Sequence, residues 1–331
     1  MPPDTLALAP IQTKHRPRFR RASADERPAF RLTDRDRQLL KIIYDYRFIT
    51  ADMLQDLAPA VQLSTRQQEA LDKLKAVKKA STLVDRPQRT KREILRRLQM
   101  LYHSGYVQRK KLSDHDPIVY SLGNLGAEVL VMQYGIDRKE IEWTTKNRES
   151  GEHYIQHTLL VSRFRHAVEL VLGNSPDATL EEWLPSGSFK ASVQYTDAVK
   201  TRAGTRTQVV QKVIIPDGVI VVMVGGKRCH YFLEADRSRM SNARFLSKLK
   251  GYYAFWAQRT QEYGIRQMRV ISVTISELRK DNLRETAQQV STEAKDLFWF
   301  ACERTYAGKP EAVFAPIWQT LKDDTLRSLI P

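Results

Sequence analysis

The run VIIPDGVIVVMVGGKRCHYFLEADRSR, residues 213–239, decides how this chain folds. Two apolar segments flank Gly225 and Gly226, and a Gly-Gly step between apolar runs signals a hairpin turn. Apolar residues continue almost without a break on both sides, as in strands covered on both faces. Asp217, Glu234 and Asp236 interrupt that pattern. A buried carboxylate without a partner is costly, so each of them requires one. Three arrangements meet the requirement. The acids lie at strand ends in water, or they pair with Arg237, Arg239 or Lys248, or they converge on a divalent cation. Asp217 stands eight residues before Gly225, and Glu234 stands eight after Gly226. That symmetry sets the two almost opposite each other across the hairpin. Two facing anions repel unless a positive charge lies between them. Magnesium, which uses one or two carboxylates together with waters and phosphate, suits such a place. A metal held there activates water and stabilises charge on a phosphodiester.

The surroundings read as an α/β sheet domain. A helix, EHYIQHTLLVSRFRHAVELVLG, precedes the run, followed by strand candidates TLEEWLP and QVVQKVIIPDGVIVVMV. After KRCHYFLEADR come a long helix, ARFLSKLKGYYAFWAQRTQEYG, a strand, MRVISVTIS, a helix, ELRKDNLRETAQQVS, and a strand, DLFWFACERT. Lys248 and Lys250 ride on the long helix, and the aromatic residues after them are read as core. His153 and His157 have the i, i+4 spacing that holds zinc, but no third ligand accompanies them. His157 reads instead as a polar core residue or a neighbour of the carboxylates.

The first half has another rhythm. Residues 1–30 read as a flexible basic arm, 31–148 as one domain and 149–331 as the sheet domain. Thr33 is the expected N-cap of a helix with Leu39, Leu40 and Ile43 on one face. A short helix, TADMLQDLA, and a polar insert at 59–88 follow, the insert with a helix in STRQQEALDKLKAVKK. In QRTKREILRRLQMLYHSGYV, Ile94, Leu98 and Leu101 make an inward stripe with Leu95 and Tyr102 beside it. Arg92, Arg96, Gln99 and His103 form a separate polar stripe. Two short strands joined by SDHD come next, then a closing helix, NLGAEVLVMQYG. Compact helices, a recognition helix and a basic hairpin are the pattern of a winged helix, which places the recognition helix in the major groove. Arg92, Arg96 and Gln99 can read base edges. Arg89, Lys91 and His103 flank them, and Arg109, Lys110 and Lys111 are placed to neutralise phosphates. The plainer reading is a solvated helix face with a loop hairpin.

Charge favours the nucleic-acid reading. The chain of 331 residues carries a net charge of +16, and residues 73–111 hold thirteen Lys or Arg against two acids. Such concentration suits a polyanion such as double-stranded DNA. No run approaches the roughly 18 apolar residues of a membrane helix, and a cytoplasmic home without membrane contact is expected. Two cysteines cannot build a disulfide framework. No phosphate loop of the Walker type is present, so ATP-driven work is not indicated.

PDG, a hairpin and then ExD before a lysine-bearing helix resemble the PD-(D/E)XK nuclease core. The resemblance implies a restriction-endonuclease-like fold in which Asp217 and Glu234 bind Mg2+ and a lysine assists the attacking water. Asp236 stands where that core has its lysine, so Lys248 or Lys250 would have to serve, with Asp236 in support. The set of motifs from residue 33 to 320, including HTLLV, IPDG, FLEADR and KLKGYYAFW, resembles the replication-relaxation family. That resemblance implies plasmid or mobile-element replication, relaxation or mobilisation. It leaves open a metal-dependent nicking endonuclease, a non-catalytic origin-binding initiator, and a transcriptional regulator. Other replication or mobilisation proteins and a second copy of the chain are the expected protein partners.

Overall fold

The computed structural model describes residues 21–23, 30–58, 90–141, 147–201 and 204–330. The helix expected in the 59–88 insert, and Arg89, lie outside the described residues. Helix α1 spans Asp34–Tyr46 and starts at Thr33, where a reciprocal capping box with Asp36 satisfies two N–H groups of the first turn. Strand β1, Ile49–Thr50, and helix α2, Ala51–Leu57, follow. Helix α3, Lys91–His103, opens on a second capping box formed by Thr90 and Glu93. Its Ile94, Leu98 and Leu101 are fully buried, as the stripe requires. Leu95 is exposed instead, because one residue on from Ile94 the helix has turned about 100° away from the core. Strands β2, Val107–Lys110, and β3, Val119–Leu122, make the expected hairpin, and β1 adds to the free edge of β3. Helix α4 spans Asn124–Tyr134 and stops at Gly135.

One buried ion pair in this half has no signal in the sequence. The Asp36 carboxylate is fully buried and accepts from Nε of Arg97 at 2.5 Å, and the Arg97 guanidinium lies 4.6 Å over the Phe30 ring. Burial opposes the Asp36 charge, but hydrogen bonds from Arg97 and Thr33 outweigh it and hold the carboxyl below its ordinary value. The pair ties α1 to α3. Two described residues of the expected basic arm make contacts with this half. Arg21 donates to the Val107 carbonyl at 3.0 Å, and the Ala22 N–H donates to Nδ1 of His103 at 3.0 Å.

Helix α5, Glu152–Leu172, begins the second half. Strands β4, Ala178–Pro185, β7, Gly218–Val224, and β8, Lys227–Asp236, form an antiparallel meander. Helix α6, Asn242–Gln258, leads to β9, Gln267–Thr274, and helix α7, Glu277–Ala287, leads to β10, Phe298–Cys302. Strands β9 and β10 run parallel to β8, and the sheet order is β10-β9-β8-β7-β4. Phe164 and Val168 of α5 pack on one face against Ile220, Leu233 and Ile271. Phe245, Leu249 and Phe255 of α6 pack on the other against Val219, Phe232 and Val270. Two covered faces explain the unbroken apolar runs.

The run expected as one strand, QVVQKVIIPDGVIVVMV, is two. Strand β6, Gly204–Ile214, leaves to pair with β5, Ala191–Thr201, in a separate two-stranded ribbon, and β7 enters the sheet. Pro216 marks the break, since it offers no N–H to a ladder.

Helix α5 also joins the halves. Tyr46 donates to Oε2 of Glu169 at 2.7 Å, and Arg165 donates to the Asp45 carbonyl at 2.7 Å. Phe48, Val119, Ile155 and Leu159 close a small apolar cluster between them.

Candidate active site and nucleic-acid interface

The hairpin of β7 and β8 turns on Gly225 and Gly226, both at positive φ (52° and 73°), as a two-residue turn of this hand demands. Its far end pairs Gly218 with Leu233, and the Asp217 N–H donates to the Leu233 carbonyl at 2.9 Å. Asp217 and Glu234 are therefore the next opposed pair, where the strands end. Oδ2 of Asp217 accepts from the Ala235 N–H at 2.8 Å, and Oδ1 lies 3.2 Å from Nε2 of His157 on α5. Glu234 is almost completely buried. Its Oε2 accepts from the Lys248 ammonium and its Oε1 from the Tyr252 hydroxyl. Lys248 and Tyr252 stand four apart on α6, so one helical face delivers both.

Charge is unevenly shared among these groups. Burial pushes Glu234 up to about 7, and the Lys248 charge opposes this only in part. Burial also works against the Asp217 charge, but the hydrogen bond and charge of His157 and the charge of Lys248 prevail, and Asp217 sits below its ordinary value. The hydrogen bond to Asp217 raises His157. Lys248 loses by burial and gains more from the charges of Glu234 and Asp217, so it is raised. The Tyr252 phenol is raised by burial and by Glu234.

A pH signature follows. A carboxyl whose folded value lies above its unfolded one contributes stability that is complete below the unfolded value and is lost as pH rises through the folded one. For Glu234 that window runs from the ordinary carboxyl value of 4.5 up to about 7. Between those limits the wild type should lose stability relative to Glu234→Gln, by up to about 3 kcal/mol from one group. Urea denaturation of both proteins at pH 5 and pH 8 measures this, and parallel curves would contradict the raised value.

The structure separates the remaining sequence candidates. Asp236 does not join Asp217 and Glu234. It pairs in register with Thr274, the last residue of β9, where α7 begins close by and supplies Arg279. Arg279 binds it two-pronged, at 2.9 Å and 3.0 Å, and the Ser238 N–H adds a bond at 2.6 Å. Lys250 lies two residues on from Lys248, about 200° around the helix, and its ammonium meets Asp197 of β5 at 2.5 Å. Among the described residues, neither Arg237 nor Arg239 bonds to these acids. Arg237 instead reaches Gln156. His153 is exposed. His157 and Asp217 also line a cavity of about 150 Å³ beside Tyr46, Arg47, Arg165 and Trp183, between the end of α1 and α5.

Among the described residues, no group of three or more His, Cys, Asp or Glu is arranged for a metal. Asp217 and Glu234 offer two hard carboxylates at one strand end, which is the number magnesium uses when waters and phosphate complete its shell. The pair fits that ion in kind, with Lys248 as the charge already seated on Glu234. Tyr252 is the site residue that sequence reasoning placed in the core. Only its position four residues after Lys248 could have signalled it.

On α3, Arg92, Arg96 and Gln99 are exposed and make no hydrogen bond or ion pair among the described residues. The neighbours are engaged within the protein. Lys91 pairs with Asp52 at 2.6 Å, and His103 accepts from Ala22. Arg109 lies 4.8 Å over the Tyr102 ring, Lys110 donates to the Ser150 carbonyl at 2.7 Å, and Lys111 meets Asp114 at 2.9 Å.

A family model described as replication-relaxation matches residues 40–267, more than half of the chain. The match takes in α3, the hairpin and both carboxylates. No curated protein and no solved structure matches the chain.

Proposed function

The chain belongs to the replication-relaxation family, and from that premise we propose that it is a double-stranded-DNA-binding protein of plasmid or mobile-element replication with a magnesium-dependent nicking site. In this reading residues 31–148 act as a winged helix and the sheet half as a nuclease-like domain of the PD-(D/E)XK kind. The observation that carries it is the opposition of Asp217 and Glu234 at one strand end with Lys248 seated on Glu234. A helix, a three-stranded meander, a second helix and a parallel strand, in that order, support it further.

Asp217 and Glu234 would hold Mg2+. The bound ion would supply an activated water and neutralise charge on the phosphodiester. The chain's own groups do the rest. The Ala235 N–H and His157 fix the Asp217 carboxylate, and Tyr252 fixes Glu234. Lys248 presents an ammonium beside both acids, where it can orient the attacking water and counter developing negative charge.

Exposed Arg92, Arg96 and Gln99 suit base reading in the major groove. Arg96→Ala should cost about 1–3 kcal/mol on the preferred site and little on other sequences. Binding to a panel of duplexes measures this, and equal losses on every sequence would remove Arg96 as a base reader. Lys110 holds the Ser150 carbonyl, so in this reading its phosphate contact is shared with a contact inside the protein.

A second reading has its own support. Asp236 stands where the nuclease core has lysine and is fully taken by Arg279. A protein that binds an origin and keeps the carboxylates as scaffold satisfies that observation. A magnesium-dependent nicking assay separates the two.

A further inference from the structure

Beside the carboxylate site the molecule gathers positive charge that it does not neutralise. Lys212, near the end of β6, reaches across to α6. Its ammonium bonds to Oγ of Ser247 at 3.1 Å, which the Tyr195 hydroxyl meets at 3.3 Å. Arg244 is exposed one turn before Lys248 on the same helix. Neither Lys212 nor Arg244 has an acidic partner among the described residues. Burial, then the charges of Lys248 and Arg244, hold Lys212 below the ordinary lysine value, so the three cations feel one another. Like charges held together in this way oppose folding and favour an anion between them.

The backbone makes room for this arrangement. Gly251 lies inside α6, and a Cβ there would stand 3.0 Å from Cγ of Lys212. Glycine weakens a helix interior. Here it leaves the space through which the Lys212 stem passes. Ser247 and Lys248 are consecutive, so the Lys212 ammonium is held next to the residue that sits on Glu234.

We propose that Lys212, Ser247 and Arg244 form a phosphate seat beside Asp217 and Glu234, which holds a backbone phosphate of the DNA strand adjoining the scissile one. The seat rests on the DNA-binding function proposed above and adds to it a contact from the sheet half of the molecule. Its ligand is a phosphodiester, and its contribution is independent of base sequence.

The test uses the full chain, a fluorescently labelled duplex and binding measured from 50 to 200 mM salt, a range over which phosphate contacts weaken steeply (about 0.9 in the slope of log K against log salt per contact). Lys212→Gln and Arg244→Gln should each reduce that slope by about 1. Each should weaken binding to all sequences alike, and Lys212→Arg should restore the slope. Arg244 is exposed, so Arg244→Gln carries the test even where Lys212→Gln disturbs α6. Unchanged slopes in both glutamine variants, with Arg96→Ala still impaired, would overturn the seat and leave the DNA-binding reading standing. No measurable binding by the wild type would overturn both.

Discussion

Lys248→Met is expected to lower the stability of the protein by about 3 kcal/mol at pH 8, and by clearly less at pH 5.5. Methionine keeps the length and packing of the stem and removes the ammonium. Glu234, almost completely buried, then keeps only the Tyr252 hydroxyl. Asp217 faces it across the hairpin with no cation between them. Breaking a buried pair from one side leaves the other charge uncompensated, and that is the source of the loss. The pH dependence has a definite sign. Glu234 already sits at about 7, and removing Lys248 takes away a charge that lowers it. At pH 5.5 the carboxyl is protonated and has little need of Lys248. At pH 8 the wild type holds it ionised against the ammonium, and the variant cannot. Urea denaturation at the two pH values reads the difference. An equal loss at both would mean that Lys248 acts through packing alone.

Arg279→Ala should be as damaging, for a different reason. Asp236 is nearly buried, and Arg279 meets both its oxygens while also donating to the Met240 carbonyl at 2.5 Å and to Asn242 at 2.7 Å. The guanidinium thus fastens the end of β8, the turn after it and the start of α6. Without it Asp236 keeps only the Ser238 N–H, and a loss of about 3–5 kcal/mol is expected. Arg279→Lys should recover little, since a point charge cannot reproduce the two-pronged contact. Denaturant midpoints of the two variants measure this. A loss below 1 kcal/mol in Arg279→Ala would return Asp236 to the list of free carboxylates.

Much of this could be read from the residues, and the failures have physical causes. The Gly-Gly turn counts residues outward to Asp217 and Glu234, so their opposition is a local property of one hairpin. Helices with strong stripes, such as α3, were equally readable. The split of β6 from β7 was not, because apolar residues run through Pro216 on both sides and only pairing with β5 tells the two strands apart. Asp236 goes with Glu234 only through the ExD motif, which says nothing of its partner. Arg279 lies 43 residues further along the chain, and nothing local announces it. Asp36 and Arg97 are hidden in the same way, in a helix start and a basic stripe that explain themselves without each other. Tyr252 looked like core because it is core, and only its hydroxyl belongs to the site.

The most direct measurement is nicking of supercoiled plasmid in magnesium or manganese by the wild type, Asp217→Asn and Glu234→Gln, with DNA binding followed in parallel. Open circles with the wild type alone, abolished by chelator, are the expected result. Intact supercoiled plasmid with all three proteins, each still binding DNA, would contradict the nicking site and leave a protein that acts by binding.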